Sequence, residues 1–493
     1  PVTPPRPVIG IDFGTSSSKV SAIGRDDIEL IKIRGQDTFP SLIYVNERGR
    51  VVIGYDASGE AEKEGFIKSI KSILRSGETD IKIHGINRPV AGLVSEFLQR
   101  FFQYIIREEA VEKLYGRNLT PHDVELVVTI PVKAKEKHEK TMGEILSKIG
   151  FRNVKFLAES TAASQFYLQS DKELSDGKVI VVFYCGAGTT DISILRINLC
   201  REDDGSYNRD FTLLAEDGIE KGGDHIDNAL YDLVKHKLPD AAREILKEKE
   251  KDVTGKRLNL LLQEMERIKK AFSSDKSHQT LNVPGLISEL KITYDEFEHT
   301  IKPLVDEVID VLYRALDMAD VHYMEVNMVY LVGGTTYIPV VQKELERIFT
   351  GRYISGHNDR LTCVAKGASM VKLGKTRRVL PFCYGYSVDT NPHVEVLLER
   401  GMIYPKENHR TISLLTVEEN HIYTDIYIYK GETREELYEG KGTVVGRIIC
   451  NIEQIGQVRS LEVHIEVDER GDVSSYVLYD PQGLNLRFDE TGL

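Results

Sequence analysis

The sequence predicts an α/β fold made of two similar halves facing one another, followed by an all-β sandwich. Two observations carry the first part. A strand, a glycine- and hydroxyl-rich turn and a second strand occupy residues 8–23, and the same grammar restarts over residues 179–197. Such a restart is the mark of a duplicated unit, and a ligand cleft is expected between the halves. The third observation is a change to a period of two after Lys372, which marks the β-rich tail.

The elements follow in order. Residues 8–11, 19–23 and 28–33 read as short strands separated by turn residues. Phe97, Leu98, Phe101 and Phe102 at helical spacing predict an amphipathic helix through 93–106, with a buried strand at 124–130 and a helix at 136–149. In the second half, strands are expected at 179–183, 192–197 and 211–215, with helices from Asn228 onward. Residues 374–378, Gly-Lys-Thr-Arg-Arg, read as a linker. Beyond them Leu461, Val463, Ile465 and Val467 alternate with Glu462, His464 and Glu466, and residues 468–472 turn the chain into 473–479, a hairpin signature. Residues 422–429 alternate likewise. The Tyr423, Tyr427 and Tyr429 stripe suits a binding surface or a half-exposed strand, and strand propensity favours the latter.

Composition excludes several classes. At 493 residues the chain exceeds one hydrophobic core, so two or three domains are expected. A net charge of -13 argues against a nucleic acid held by a basic surface, although a local nest of N–H groups can still hold a phosphate. The cysteines, Cys185, Cys200, Cys363, Cys383 and Cys450, are scattered without a C-x-x-C pair, which points to a reducing compartment and no structural zinc. No apolar run of about 18 residues is present to span a bilayer, and residues 1–7 lack a signal peptide's apolar core. A cytoplasmic protein without membrane or nucleic-acid partners is expected.

The chemistry concentrates in three glycine turns. Residues 9–18 read Ile-Gly-Ile-Asp-Phe-Gly-Thr-Ser-Ser-Ser, and residues 183–191 read Phe-Tyr-Cys-Gly-Ala-Gly-Thr-Thr-Asp. Glycines let backbone approach an anion, free N–H groups point into the turn and hydroxyls add donors, so the pair suits a nucleotide's phosphate tail. A third turn, at residues 329–339, runs a strand into Gly333-Gly334 and then into a helix whose start is expected to supply free N–H donors. The helix before it buries Leu258, Leu261, Leu262, Met265, Ile268 and Phe272, leaving Glu266, Lys269, Lys270 and Ser273 on a separate stripe. Alone, that stripe reads as a solvated face with i,i+4 pairing.

Together with Pro40-Ser41, Ile53-Gly54, the run Ala-Glu-Ser-Thr-Ala-Ala at 158–163 and Gly222-Gly223-Asp224, these segments stand in the order and approximate spacing of the 70-kDa heat-shock chaperones. The chain resembles that family over essentially its whole length. The wider superfamily includes actin and the sugar kinases, which share a duplicated ribonuclease H-like core. The resemblance implies an actin-like, two-lobed ATP-binding domain at 1–374, a linker at 375–380 and, at 381–493, a β-sandwich similar to a peptide-substrate-binding domain. It also implies ATP or ADP with Mg2+ as cofactors and extended or unfolded peptide as partner. A J-domain co-chaperone, a nucleotide exchange factor or another chaperone would be further partners, in protein folding and the stress response.

Residue roles follow from the same resemblance. Asp12 matches the aspartate that organises waters around the metal, and Gly14, Thr15 and Ser16 match phosphate contacts. Gly186, Ala187 and Gly188, with Gly222 and Gly223, match the second phosphate cradle, and Thr189 a γ-phosphate contact. Lys71 matches the lysine that stabilises the transferring phosphoryl group, with Lys68 as a rival; Glu159 and Asp191 match carboxylates near metal and attacking water. Glu266 and Lys269 match ribose positions and Ser273 an adenine contact. Lys270 and Tyr337 stand where the family usually places two arginines around the base, next to Gly333, Gly334 and Thr335.

Departures from the family pattern are as informative. Tyr184 stands where an aspartate is usual, and a phenol with a pKa near 10 cannot replace a carboxylate in a metal's water shell. Ala187 replaces a central glycine, residues 375–381 are basic where the family's linker is acidic and leucine-rich, and no helical lid follows the tail. The expectation is an ATPase-like protein that binds ATP and hydrolyses it weakly or not at all, its nucleotide state regulating peptide or partner binding. In the competing reading Asp12, Asp191 and Glu159 suffice and turnover is only reduced. The sequence also admits a non-catalytic co-chaperone or scaffold with ATP as a structural ligand and, with less support, a small-molecule kinase or a filament-forming actin relative.

Overall fold

The structure, a computed structural model, describes residues 6–490 apart from 25–27, 62, 117–118, 134, 172–173, 202–206, 241, 245–255, 284–286, 356–357, 371–375, 381, 389–392, 405, 415–422, 452–458, 468–472 and 480–486. The start of the expected linker, at Lys375, and the hairpin turn at 468–472 lie outside the described residues, as does the side chain of Leu258. The chain divides into two units: residues 1–209 with 216–375, and residues 210–215 with 376–493.

In the first unit the duplication is written into the strand order. One sheet runs Asn153–Ala158, Glu125–Ile130, Val8–Asp12, Ser17–Ile23, Ile28–Leu30. The first three of these strands are parallel and the last two antiparallel. In the second half Tyr353–Ser355, Val326–Val332 and Val179–Cys185 are again parallel, and Thr190–Arg201 again folds back antiparallel. Strands buried on both faces read as continuous apolar runs, as in residues 179–183, Val-Ile-Val-Val-Phe. The mixed α/β arrangement fits an actin-like ATPase fold.

The helix Val90–Ile105 covers the first sheet with the face expected from its spacing: Leu93, Val94, Phe97, Leu98, Phe101 and Phe102 are all buried. Phe39 packs against it, its ring tilted to that of Phe101 with centroids 4.9 Å apart. In the second half the helix Lys256–Phe272 buries Leu261, Met265, Ile268 and Phe272, while Glu266 and Lys270 stay accessible. Its Phe272 ring stacks at 4.9 Å on Phe297 of the long helix Tyr294–Met318.

Two buried helices exchange between the halves. Helix Glu159–Ser170 follows the edge strand of the first sheet yet also packs on the second, whereas Cys363–Ser369 follows the second sheet and packs on the first. They cross at small residues. A methyl group on Gly367 would overlap the Ala162 carbonyl, and one on Gly10 would lie 2.5 Å from the Ser369 nitrogen and 2.8 Å from the Ala365 oxygen. Ser21 fastens the same contact by donating to the Ala365 carbonyl at 2.5 Å.

The helix expected directly after Gly333-Gly334 begins later. Gly333 has φ 87, a single 3-10 turn spans Gly334–Tyr337, and the α-helix starts only at Pro339. Proline suits a first helical position, so the delayed start has a local cause. The turn rather than a helix end therefore faces the cleft.

In the second unit, Phe211–Leu213 pair in parallel with Thr376–Arg378. Two antiparallel sheets follow: Glu395–Leu398, Cys383–Val388, Tyr423–Gly431, Thr443–Asn451 and Arg487–Glu490 in one, and Lys406–Leu414, Arg459–Val467 and Val473–Tyr479 in the other. Both contribute to one apolar cluster that includes Tyr384, Ile426, Ile428, Ile448, Val463 and Ile465. Tyr427 and Tyr429 sit half-buried on the opposite face from Ile426 and Ile428, with the Arg447 guanidinium 5.5 Å over the Tyr427 ring. No helix among the described residues is long and apolar enough to cross a membrane.

The helix crossing makes a paired prediction. Gly367→Ala, which cannot be accommodated against backbone, should lower unfolding free energy by about 2–3 kcal/mol in urea titrations. Gly92→Ala, on an exposed helical turn where a methyl meets nothing closer than 3.8 Å, should leave stability unchanged or raise it by up to about 1 kcal/mol.

Candidate functional site

The three glycine turns leave the C-terminal ends of parallel strands Val8–Asp12, Val179–Cys185 and Val326–Val332, the end of a sheet where ligands usually bind. Between them lies a cavity of about 450 Å³. From the first turn it is lined by Asp12, Gly14, Thr15 and Ser16; from the second by Tyr184, Gly186 and Ala187; from the third by Gly333, Gly334, Thr335 and Tyr337. Helix Lys256–Phe272 adds Glu266, Lys269, Lys270 and Ser273. Residues more than 300 positions apart are thus brought to one cleft.

The second turn is held from below. The N–H groups of Gly223 and Asp224 donate to the carbonyls of Gly186 and Ala187 at 3.0 and 2.7 Å. Thr335 Oγ1 donates to the same Gly186 carbonyl at 2.8 Å. A methyl on Gly222 would lie 2.6 Å from the Gly186 oxygen, so the close approach requires glycine there. The start of helix Gly223–Lys237 therefore shapes the cradle through its backbone.

Lys71 and Lys68 part company. Lys71 Nζ bonds Glu159 Oε1 at 2.7 Å in a buried pair, while Lys68 Nζ lies 3.2 Å from Glu266 Oε2. Lys269 Nζ donates to the Gly223 carbonyl at 2.9 Å and pairs with Asp227 at 2.8 Å, which ties its helix to the cradle. Burial alone would raise the Glu266 carboxyl, but Lys68 and Lys270 outweigh it and hold it at about 2. Glu266 is therefore a permanent acceptor at the cavity wall.

Behind the turns is a buried cluster of Glu159, Asp191, Tyr184 and Lys71. Glu159 Oε2 also accepts from Thr189 Oγ1 at 3.2 Å, and Val132 N–H donates to Asp191 Oδ1 at 3.1 Å. Burial would raise Glu159, yet the Lys71 ammonium outweighs it and keeps this carboxylate ionised. Asp191 moves the opposite way, pushed well above the usual carboxylate range by burial and then by the Glu159 charge. Two carboxyls in hydrogen-bonding reach share one proton more readily than they carry two charges. Asp191 Oδ2 is buried without a hydrogen-bond partner, and burial with the Glu159 charge favours the protonated form of this carboxyl. Tyr184, raised by burial and by the charges of Glu159, Asp12 and Asp191, stays a neutral phenol beside them.

Three cations were not singled out in the sequence. Lys19 Nζ pairs with Asp12 Oδ2 at 2.9 Å and lines the cavity. The Arg75 guanidinium lies against the second turn, where a methyl on Gly188 would meet its Nη1 at 2.5 Å and Thr15 Oγ1 at 2.6 Å. Arg360, also at the cavity wall, carries its guanidinium 4.8 Å over the Tyr337 ring. The signal for Lys19 was present: Asp12 and Lys19 are direct cross-strand partners in the first hairpin, as Tyr184 and Asp191 are in the second. The arrangement suits a polyanionic tail between two backbone cradles, with a flat group near Tyr337 and Arg360.

A family model described as Hsp70 protein matches residues 104–474 of the chain.

The buried pair yields a stability prediction. Lys71→Met should cost about 3–5 kcal/mol because it strands a buried carboxylate. The double variant Lys71→Met/Glu159→Gln should regain much of that loss in the same urea titration. Additive losses would contradict the coupling.

Proposed function

The chain belongs to the Hsp70 protein family, and from that premise we propose that it binds ATP in the cleft of its first unit and hydrolyses it slowly or not at all. Membership supports a chaperone-like ATP-binding role, and family members in general bind ATP or ADP with Mg2+ and engage peptides and co-chaperones. In this reading the glycine turns at 14–16 and 186–188 receive the phosphates and Glu266 accepts from the ribose hydroxyls. Tyr337 offers its ring to the base, with Ser273 and Lys270 on the other wall. The glycine cradles, the permanent charge of Glu266 and the cavity size all suit such a ligand.

Slow turnover rests on one observation: the buried end of the second strand carries Tyr184, a proton donor, where hydrolysis needs an acceptor. Attack by water on a γ-phosphate needs a group that orients the water or takes its proton. Glu159 already accepts from Lys71 and Thr189, and burial with the Glu159 charge pushes the Asp191 carboxyl toward its protonated form. The carboxylates that remain are thus committed to one another.

The same reading takes the second unit as a β-sandwich that receives extended peptide or a partner surface, in the cytoplasm, with a J-domain protein and an exchange factor as regulators. The closed Lys71–Glu159 pair also favours a second version, in which ATP is a structural ligand of a co-chaperone or scaffold. Peptide affinity that falls when ATP is added supports the coupled version, and peptide affinity indifferent to ATP supports the scaffold.

Calorimetric titration should detect ATP, and Glu266→Ala should weaken it about tenfold, equivalent to about 1.4 kcal/mol. Single-turnover assays should then find hydrolysis far slower than that of an active chaperone run in parallel. Matching rates, unaffected by Tyr184→Phe, would defeat the proposal.

A further inference from the structure

We propose that the phosphate end of this site is neutralised by side-chain cations, Lys19 with Arg75, so that a nucleoside triphosphate binds without a divalent cation. The inference rests on the ATP-binding reading above and concerns the metal that family membership would supply. A hydrated divalent ion is held through anionic oxygens that accept from its waters. The residues present do not offer them. Asp12 Oδ2 accepts from Lys19 Nζ at 2.9 Å, and Asp12 Oδ1 faces Thr129 Oγ1 at 3.4 Å. Tyr184 brings a hydroxyl in place of a second carboxylate at the cavity wall.

The Lys19–Asp12 contact is built into the fold. The two residues are opposite one another in an antiparallel hairpin, and their side chains are 12% and 2% exposed. A second positive ion placed at Asp12 would meet the ammonium and be repelled. Lys19 lines the same cavity wall as Gly14, Thr15 and Ser16, so its charge reaches the phosphate cradle without rearranging the strand.

Arg75 is an independent observation. Its Nη1 is buried without a hydrogen-bond acceptor, and a methyl group on Gly188 of the second turn would meet this Nη1 at 2.5 Å and Thr15 Oγ1 of the first turn at 2.6 Å. A desolvated guanidinium donor is satisfied best by an anionic oxygen, and its planar fork matches phosphate. A bound polyphosphate supplies that acceptor where both turns converge.

The test is a titration of the full chain with ATP, in Mg2+ and in excess EDTA. The two dissociation constants should agree within about threefold. In EDTA, Lys19→Met and Arg75→Met should each weaken binding about tenfold or more. Lys19→Met, by freeing Asp12, should also make binding respond to Mg2+. Tightening of the unaltered chain by tenfold or more in Mg2+ overturns the inference without any variant and leaves the ATP reading intact. Unchanged affinity of Lys19→Met in EDTA also overturns it, with Lys19→Arg, which keeps the charge, as the control for folding. Binding in neither buffer overturns the ATP reading and this inference together.

Discussion

Antiparallel pairing of Val8–Asp12 with Ser17–Ile23 sets Asp12 opposite Lys19, and the same pairing in the second half sets Tyr184 opposite Asp191. Side chains directly opposite in such a pair are within reach of each other, so the backbone register decides which charges meet. A slip of one residue would turn Asp12 away from the cleft and press an isoleucine against the helix Cys363–Ser369, where Gly10 leaves no room for a methyl group. The buried neighbours Ile9, Ile11 and Val20 forbid that slip. Core packing and site electrostatics are consequently one constraint. The two hairpins share a geometry and differ in chemistry: acid and base in the first, phenol and acid in the second.

That difference organises the buried charge. In the first hairpin the ion pair is closed between neighbouring strands. In the second, Tyr184 offers Asp191 no counter-charge, burial and the Glu159 charge push the Asp191 carboxyl up, and Glu159 takes its counter-charge from Lys71. A buried carboxylate survives only with such partners. Asp12 and Glu159 thus each hold a lysine partner of their own, Lys19 and Lys71.

Much of this was legible in the sequence. The duplicated strand-turn-strand grammar pointed to both sheets, and the spacing of Leu261, Met265, Ile268 and Phe272 placed Glu266, Lys269, Lys270 and Ser273 on one wall. Glycine turns announce themselves because only glycine tolerates the backbone approach seen at Gly222. Charge partners were less legible. Lys68 and Lys71 are separated by three positions, and only the packing of the helix Ile70–Ser76 against the Glu159 segment distinguishes them. Lys19 required counting back across the first turn to its opposite residue. Arg75 and Arg360 depend on contacts with segments distant in sequence, which no local pattern encodes. The delayed helix start at Pro339 is not legible, because glycine pairs and proline both mark boundaries without fixing which turn comes first.

The exchanged helices have a bearing on biosynthesis. Residues Val8–Asp12 and Ser17–Ile23 leave the ribosome before the helix that packs against them, Cys363–Ser369, which follows more than 300 residues later. Until then the sheet face that carries Gly10 and Ser21 lacks this cover, and Gly10 has no backbone to meet. Domains ordinarily fold as units during synthesis, and contacts of such long range close slowly. The nascent chain of this Hsp70 relative therefore carries an incomplete first sheet while the intervening residues are made, a state of the kind that chaperones protect.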